Sequence, residues 1–292
     1  MSKKNVKSAT PARCPVRELL RAEPGLVNLA GYDTATTTGS PGSKAKAAAE
    51  LAKRTAPDLA EQQERLYAES TAGGSRRVLL VLQGMDTSGK GGVIEHVVGQ
   101  LGPAGVTVTS FKQPTPQELA HHFLWRIRRA LPAPGQVAVF DRSHYEDVLV
   151  VRVHGAIDEA QAETRFDEIN RFEADLVASG TTLVKCFLNV SFAEQRARLL
   201  ARLEDPAKHW KFREADIAER ALWPDYMSAY ARVLARTSTD AAPWYVVPAD
   251  HKWYRNWAIS HLLLETLTEL DPRYPQSDLD VPALEERLQP PH

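Results

Sequence analysis

The stretch Arg77-Val-Leu-Leu-Val-Leu-Gln-Gly84-Met85-Asp86-Thr87-Ser88-Gly89-Lys90-Gly91-Gly92 decides how this chain is read. Val78 to Leu82 are apolar at consecutive positions, as in a strand buried on both faces of a parallel sheet. The pattern G-x-x-x-x-G-K follows at once, and a helical segment follows that. Between strand and helix, such glycines let backbone N–H groups turn onto phosphate oxygens. Lys90 adds a mobile positive charge, and the new helix presents its positive dipole end. A glycine-rich turn without a ligand is the alternative, which the placement disfavours. One position departs from the nucleoside-triphosphate pattern. Gly91 stands where Ser or Thr usually holds Mg²⁺. Asp86, inside the loop, is the obvious replacement, because a carboxylate among phosphates needs a cation between them.

Outward from the loop, Gln136-Val-Ala-Val-Phe-Asp141 is an apolar strand ending in an acid. That is the Walker-B pattern, which supplies a second position on the metal; a capping Asp at a helix start is the alternative reading. If the two strands are neighbours, Asp86 and Asp141 face one cation. His144 and Tyr145, next in the chain, suit packing or substrate positioning better than acid–base work. Further strands are expected at Val106–Phe111, Thr182–Val190 and Trp244–Pro248. Helices are expected at Gly92–Leu101, Thr115–Leu131, Ala160–Ser179, Ser191–Arg202, Asp216–Arg236 and Trp253–Leu270. A further helix, around Leu51 to Tyr67, takes Pro57-Asp58 as its start signal. Alternating strands and helices imply an α/β fold, a parallel sheet of about five strands flanked by helices.

Composition narrows the classes. The 292 residues are 43% hydrophobic and 25% charged, within the globular range, and the net charge of −1 excludes a global polycation for nucleic acid. Any anion site must be a local cluster. No apolar run is long enough to cross a bilayer, and the polar, basic stretch from Met1 to Arg13 has no signal-peptide core. Cys14 and Cys186 sit in no metal-spaced motif, which points to a reducing cytoplasm. The histidines form no zinc set. Residues 1–56 carry ten basic and four acidic residues around a Thr/Gly/Ser/Pro stretch, and read as a solvated arm or as a basic arm near an anionic substrate. Residues 57–275 form the expected catalytic domain and 276–292 a tail. Three basic clusters stand out: Arg126–Arg129, Lys208-His-Trp-Lys211-Phe-Arg213 and Lys252-Trp-Tyr-Arg255. The first reads equally well as a solvated helix face. The second, aromatic-flanked and between helices, suits a lid over the phosphate loop, spanning about 202–236.

Six of these segments, in order, resemble the family-2 polyphosphate kinases, which have a thymidylate-kinase-like P-loop fold. They are Leu82–Gly92, Phe111-Lys112-Gln-Pro114, Phe123–Arg126, Phe140–Glu146, Arg202–Phe212 and Pro248–Asn256. The resemblance implies Mg²⁺-dependent (or Mn²⁺-dependent) reversible phosphoryl transfer between inorganic polyphosphate and purine nucleoside mono- or diphosphates. It puts Asp86 and Asp141 on the metal and Lys90 and Arg142 on phosphates, with Lys211 catalytic in the lid. It extends substrate binding to Gly84, Gly89, Gly91, Lys112, Arg126, Tyr145, Glu146, Arg202, Lys208, Arg213 and Lys252. Within it Gly91 is the family's own pattern. The run Tyr145–His154 is similar to the subgroup that accepts monophosphates as well as diphosphates. A cytoplasmic homo-oligomer, dimer or tetramer, is implied, with no nucleic acid or membrane as partner. The rival readings are an ATP-dependent nucleoside monophosphate kinase and a non-catalytic anion-binding regulator.

Overall fold

Every side chain from Val78 to Gln83 is buried in the strand Arg77–Gln83, here β1. A strand buried at odd and even positions alike needs cover on both faces, and so a central place. A computed structural model, which describes residues 14–289 apart from 24 and 26, gives it that place. Val106–Ser110 (β2), Val137–Asp141 (β3), Thr181–Asn189 (β4) and Trp244–Pro248 (β5) complete a sheet of order β2-β3-β1-β4-β5. All four pairings are parallel, with Leu82 of β1 opposite Asp141 of β3. The carboxyl ends of β1 and β3 therefore lie side by side. In such sheets that edge is where ligands bind.

In chain order the helices are Val16–Leu20 (α1), Lys44–Glu50 (α2), Ala56–Thr71 (α3), Lys90–His96 (α4), Pro116–Leu119 (α5), Trp125–Arg128 (α6) and Val150–Val153 (α7). They continue with Glu159–Ala178 (α8), Phe192–Glu204 (α9), Ala215–Ala221 (α10), Trp223–Thr237 (α11), Lys252–Leu270 (α12) and Val281–Arg287 (α13). The apolar α12 packs on β4 and β5, α8 on β4 and α4 on β3. None of these helices is long and apolar enough to cross a membrane.

The strands match expectation to within a residue or two, and the helices differ at informative places. Asp216–Arg236 is two helices, because Pro224 cannot donate to a continuing ladder and instead opens α11. Thr115–Leu131 is also two. A capping box at Thr115 and Glu118 starts α5, the chain then turns, and Arg126 on α6 reaches back to the Lys112 carbonyl (2.8 Å). Pro57 is not a start. The helical run begins at Lys44, capped by Ser43, and a π-helical turn at Leu51–Thr55 joins α2 to α3 just before the proline. The wider turn breaks the regular ladder where proline would otherwise cost a bond.

The expected boundary at residue 56 thus falls inside one helical run. From Cys14 onward, the segment read as an arm is packed against the domain. Val16, Leu20, Ala22, Val27 and Leu29 are buried in the same core as the sheet. Ala22 N–H donates to Trp244 O (2.8 Å), and Glu265 of α12 accepts from the N–H groups of Val16 (2.7 Å) and Arg17 (3.0 Å). Charge counting missed this because the apolar residues that dock are too few and too irregularly spaced to show a period. Residues 1–13, with their share of the basic excess, lie outside the described residues. In the tail, α13 is exposed. Leu20→Ala should cost about 2–4 kcal/mol in a urea titration, the usual price of a buried Leu. A cost near zero would mean that the segment is not docked in solution.

Candidate active site

The loop after β1 is held from beneath by two guanidinium groups. Arg198 of α9 donates through Nη1 to the carbonyls of Thr87 (2.9 Å) and Ser88 (3.1 Å). Its Nη2 donates to Ala249 O (2.5 Å) and Asp250 O (2.9 Å) after β5. Arg255 of α12 donates to Ser88 O at 3.3 Å. Burial, and secondarily Arg198, pushes the Arg255 pKa down to about 10. The loop's negative ends are thereby committed to the protein and turned from the mouth. Glycine is required here for space: a Cβ on Gly89 would fall inside the Arg255 guanidinium, and one on Gly92 would lie 2.7 Å from Arg255 Nη2. Gly89 also has φ +108° and Gly84 φ +147°, and Thr87 is held at φ +64°, a strained value for a β-branched residue. A Cβ at Gly91 would meet open space, so no steric need keeps a hydroxyl from that position.

Lys90 is buried and folds back on the loop, donating to Gly84 O at 2.7 Å. Burial lowers its pKa, with Arg142 adding to the effect and Asp86 and Asp141 opposing it. Arg142, just past β3, sits at φ +65° and donates to Asp86 Oδ1 at 2.7 Å. Burial works to raise the Asp86 pKa, but Lys90, Arg142 and Arg202 of α9 outweigh it and hold the carboxyl below its usual range. Glu146 faces the same group. Burial raises its pKa, against Arg142 and Lys90 and a hydrogen bond from Gln83. Asp86, Lys90, Asp141, Arg142, Glu146 and Arg202 therefore form one electrostatic unit.

A divalent cation suits these residues. Asp86 and Asp141 offer hard oxygens at the ends of adjacent strands, and Thr87 Oγ1 and Ser88 Oγ are buried in the loop without a hydrogen-bond partner. No cluster of three or more His, Cys, Asp or Glu fit to hold a metal occurs among the described residues. A cation taken by one or two carboxylates and completed by water and substrate phosphates matches the habit of Mg²⁺.

The other expected residues spread outward. Arg126 is buried, pairs with Asp147 (3.5 Å) and, with Phe123, Asp147 and Arg165, lines a cavity of about 440 Å³. Lys112 is exposed and contributes its carbonyl to Arg126. Lys252 is exposed at the start of α12. Burial lowers its pKa, and Arg198, Arg255 and Lys208 act in the same direction. In the segment expected as a lid, Arg202 at the end of α9 donates to Lys211 O (3.0 Å) and lies 3.8 Å from Asp216. Lys208 pairs with Asp205 at 2.6 Å, Lys211 lies 4.8 Å from the Trp210 ring centroid, and Arg213 is exposed. Tyr145 is a correction. It is fully buried and its hydroxyl donates to Glu173 at 2.6 Å, so it faces the core and cannot touch a substrate. The β3 pleat and the turn after it send Arg142 and Tyr145 opposite ways, which the motif's linear order does not reveal.

Sequence reasoning missed three residues. Arg198 and Arg255 hold the loop, and Gln195 donates to Asp86 O at 3.1 Å while accepting from Arg220 (2.6 Å). The signal for Arg255 was its place in the Lys252–Arg255 cluster. For Arg198 it was only an arginine on an amphipathic helix.

A parallel sheet with a phosphate loop at β1 and an acid at the end of β3 defines a P-loop phosphotransferase. Residues 42–275 match the family Polyphosphate kinase 2 (PPK2), and the chain belongs to that family. It is 46% identical over 246 residues to an AMP/ADP-polyphosphate phosphotransferase of Meiothermus ruber, covering 84% of this chain and 89% of that one. It is 43% identical over 240 residues to an ADP-polyphosphate phosphotransferase of Rhodopseudomonas palustris, covering 78% and 82%. The crystal structure of polyphosphate kinase 2 from Arthrobacter aurescens TC1 superposes with a TM-score of 0.92 at 50% identity, covering 96% of this chain and 98% of that one. Gly89→Ala should abolish phosphate binding by calorimetry and lower the melting temperature, because the new methyl displaces Arg255. Normal binding would remove Arg255 from its role beneath the loop.

Proposed function

We propose that this chain transfers a phosphoryl group reversibly between inorganic polyphosphate and nucleoside mono- or diphosphates, taking AMP and ADP to ADP and ATP. The carrying observation is the run of positive groups beyond a one-phosphate site. Lys90, Arg142 and Arg202 act together on Asp86, and Lys208, Lys211, Arg213 and Lys252 stand exposed besides them. A linear polyanion needs such a strip, and a single terminal phosphate does not. The names of the Meiothermus and Rhodopseudomonas relatives support both substrates. The open cavity beside Arg126 has the volume of a small-molecule site, and Phe123 with the charged Arg126 and Arg165 suits an acceptor nucleotide.

The acceptor is a phosphate oxygen, already ionised near neutral pH because the second phosphate pKa is about 6. No general base is needed, and the chemistry reduces to alignment and neutralisation of charge. Mg²⁺ or Mn²⁺, held by Asp86 and Asp141, would supply part of that neutralisation. Lys90 and Arg142 supply the rest at the transferring group, and Lys208, Lys211 and Arg213 reach the chain when the lid moves over it. Gly91, without a hydroxyl for a nucleoside triphosphate's metal, weighs against the ATP-dependent kinase. The carboxylate pair weighs against a regulator that only binds an anion. We place the enzyme in the cytoplasm, with Cys14 and Cys186 as free thiols, and as a homo-oligomer.

Purified protein given polyphosphate, Mg²⁺ and AMP or ADP in turn should yield ADP or ATP by nucleotide chromatography. No product without added ATP would return the ATP-dependent kinase. Asp86→Asn or Asp141→Asn should remove this turnover while the circular dichroism spectrum stays unchanged, and near-normal turnover would take that residue off the metal. Lys211→Ala should slow transfer with almost no change in melting temperature, since an exposed lysine adds little to folding. The apparent KM for long-chain polyphosphate should rise steeply between about 50 and 200 mM salt, as multi-phosphate contacts weaken over that range, and that for the nucleotide only slightly. Equal, shallow dependence would exclude a polyanion channel.

A further inference from the structure

Behind the catalytic turn lies an ion pair that the transfer reaction does not touch. Glu173 of α8 and Lys185 of β4 are buried, with Lys185 Nζ 2.6 Å from Glu173 Oε2. Lys185 also donates to the Tyr145 hydroxyl (3.0 Å) and to Thr237 O at the end of α11 (2.7 Å). The other carboxylate oxygen, Glu173 Oε1, accepts from the Tyr145 hydroxyl (2.6 Å) and from His144 Nε2 (3.1 Å). His144 and Tyr145 are both buried, so two successive residues of the turn after β3 are gripped from inside the domain. The turn is a 3-10 segment, His144–Asp147. Its inner side meets this cluster. Arg142, just before it, and Glu146 and Asp147 on its outer side face Asp86, Gln83 and Arg126.

A buried ion pair is weak evidence for stability, because well-packed apolar side chains of the same volume often serve as well. What apolar packing cannot do is fix two side chains by direction. Arg142 needs that fixing. Its backbone holds φ +65°, which a non-glycine residue keeps only when its surroundings over-determine it. Ser143 adds a second tie, accepting from Gln83 Nε2 (3.0 Å) and from Tyr145 N (3.2 Å). We propose that the Glu173–Lys185 pair, through Tyr145 and His144, is a positioning device that sets Arg142 against the phosphate loop. These four are positioning residues, since none touches a reacting atom. The inference deepens the proposed function and rests on it.

Burial works to raise the Glu173 pKa, but Lys185 and His144 outweigh it and hold the carboxylate ionised. Burial pushes the Tyr145 phenol well up, and Glu173 pushes it the same way, so its proton stays and the hydroxyl remains a donor.

Tyr145→Phe removes one hydroxyl and leaves the ion pair in place. With polyphosphate and ADP, kcat should fall about tenfold, within what a displaced catalytic group costs, with both KM values little changed. In an Arg142→Ala background the same substitution should cause no further loss, because the group it positions is gone. His144→Phe, which removes the other contact of the turn with Glu173 and leaves the ion pair in place, should reproduce both results and carries the test if Tyr145→Phe does not fold. Unchanged kcat with a lowered melting temperature would reduce the cluster to packing. An equal loss in both backgrounds would show that it acts other than through Arg142. A wild-type chain inactive with polyphosphate would overturn the proposed function itself, and this inference with it.

Discussion

A loop that presents backbone N–H groups to phosphates must first dispose of its own carbonyl oxygens. Each peptide brings an acceptor with its donor, and an acceptor facing a phosphate repels it. Arg198 and Arg255 meet this constraint. They draw the Thr87 and Ser88 carbonyls down into the domain, and much of the surrounding structure follows from where those guanidiniums lie. Gly89 and Gly92 lack side chains because Arg255 occupies the space. The turn after β5 is pinned because Arg198 also takes its carbonyls. Asp250 in that turn caps the entry to α9, accepting from Ser191 N at 2.7 Å, and α9 carries Arg198 itself. The arrangement closes on itself, so the loop is only as rigid as the domain beneath it.

The same turn ties in the N-terminal segment. Thr34 donates its hydroxyl to Asp250 (2.8 Å) and its carbonyl accepts from Asp250 N (3.1 Å), and Tyr254 donates to Thr38 O (2.7 Å). Thr34 and Thr38 lie before the stretch that matches the family, which begins at residue 42. Residues peripheral by sequence therefore brace a turn central to the site.

Charge in the site is balanced locally, which the net value of −1 conceals. Asp86 is flanked by Lys90, Arg142 and Arg202, and its ion pair with Arg142 keeps an acid tolerable inside a phosphate loop. A cation brought in with phosphates would compete with Arg142 for that carboxylate.

Much of the architecture could be read from the chain, and the reasons are local. The strands β1, β3, β4 and β5 were visible because a strand covered on both faces is apolar at consecutive positions, and the edge strand β2 because Val106-Thr-Val-Thr alternates apolar and β-branched polar residues. The phosphate loop was visible because Gly84, Gly89 and Lys90 act within six residues of one another. Asp141 was visible because it closes its strand. Pro224, present in the sequence, marks a helix break whose weight went unread beside a strong apolar period. What stayed hidden depends on partners far along the chain. Arg198 finds Thr87 across 111 positions, and Lys185 and Glu173 find Tyr145 from β4 and α8. Tyr145 looked like a binding residue because it follows Asp141 and Arg142 in a motif. A motif records order, whereas the direction of a side chain is set by what packs against its turn. The sequence by itself determined the sheet, the loop and the acids at its rim, because each is encoded in neighbouring residues. Only the tertiary structure decided which side chains face the phosphates and which hold those that do, because that choice rests on contacts between segments whose spacing carries no period.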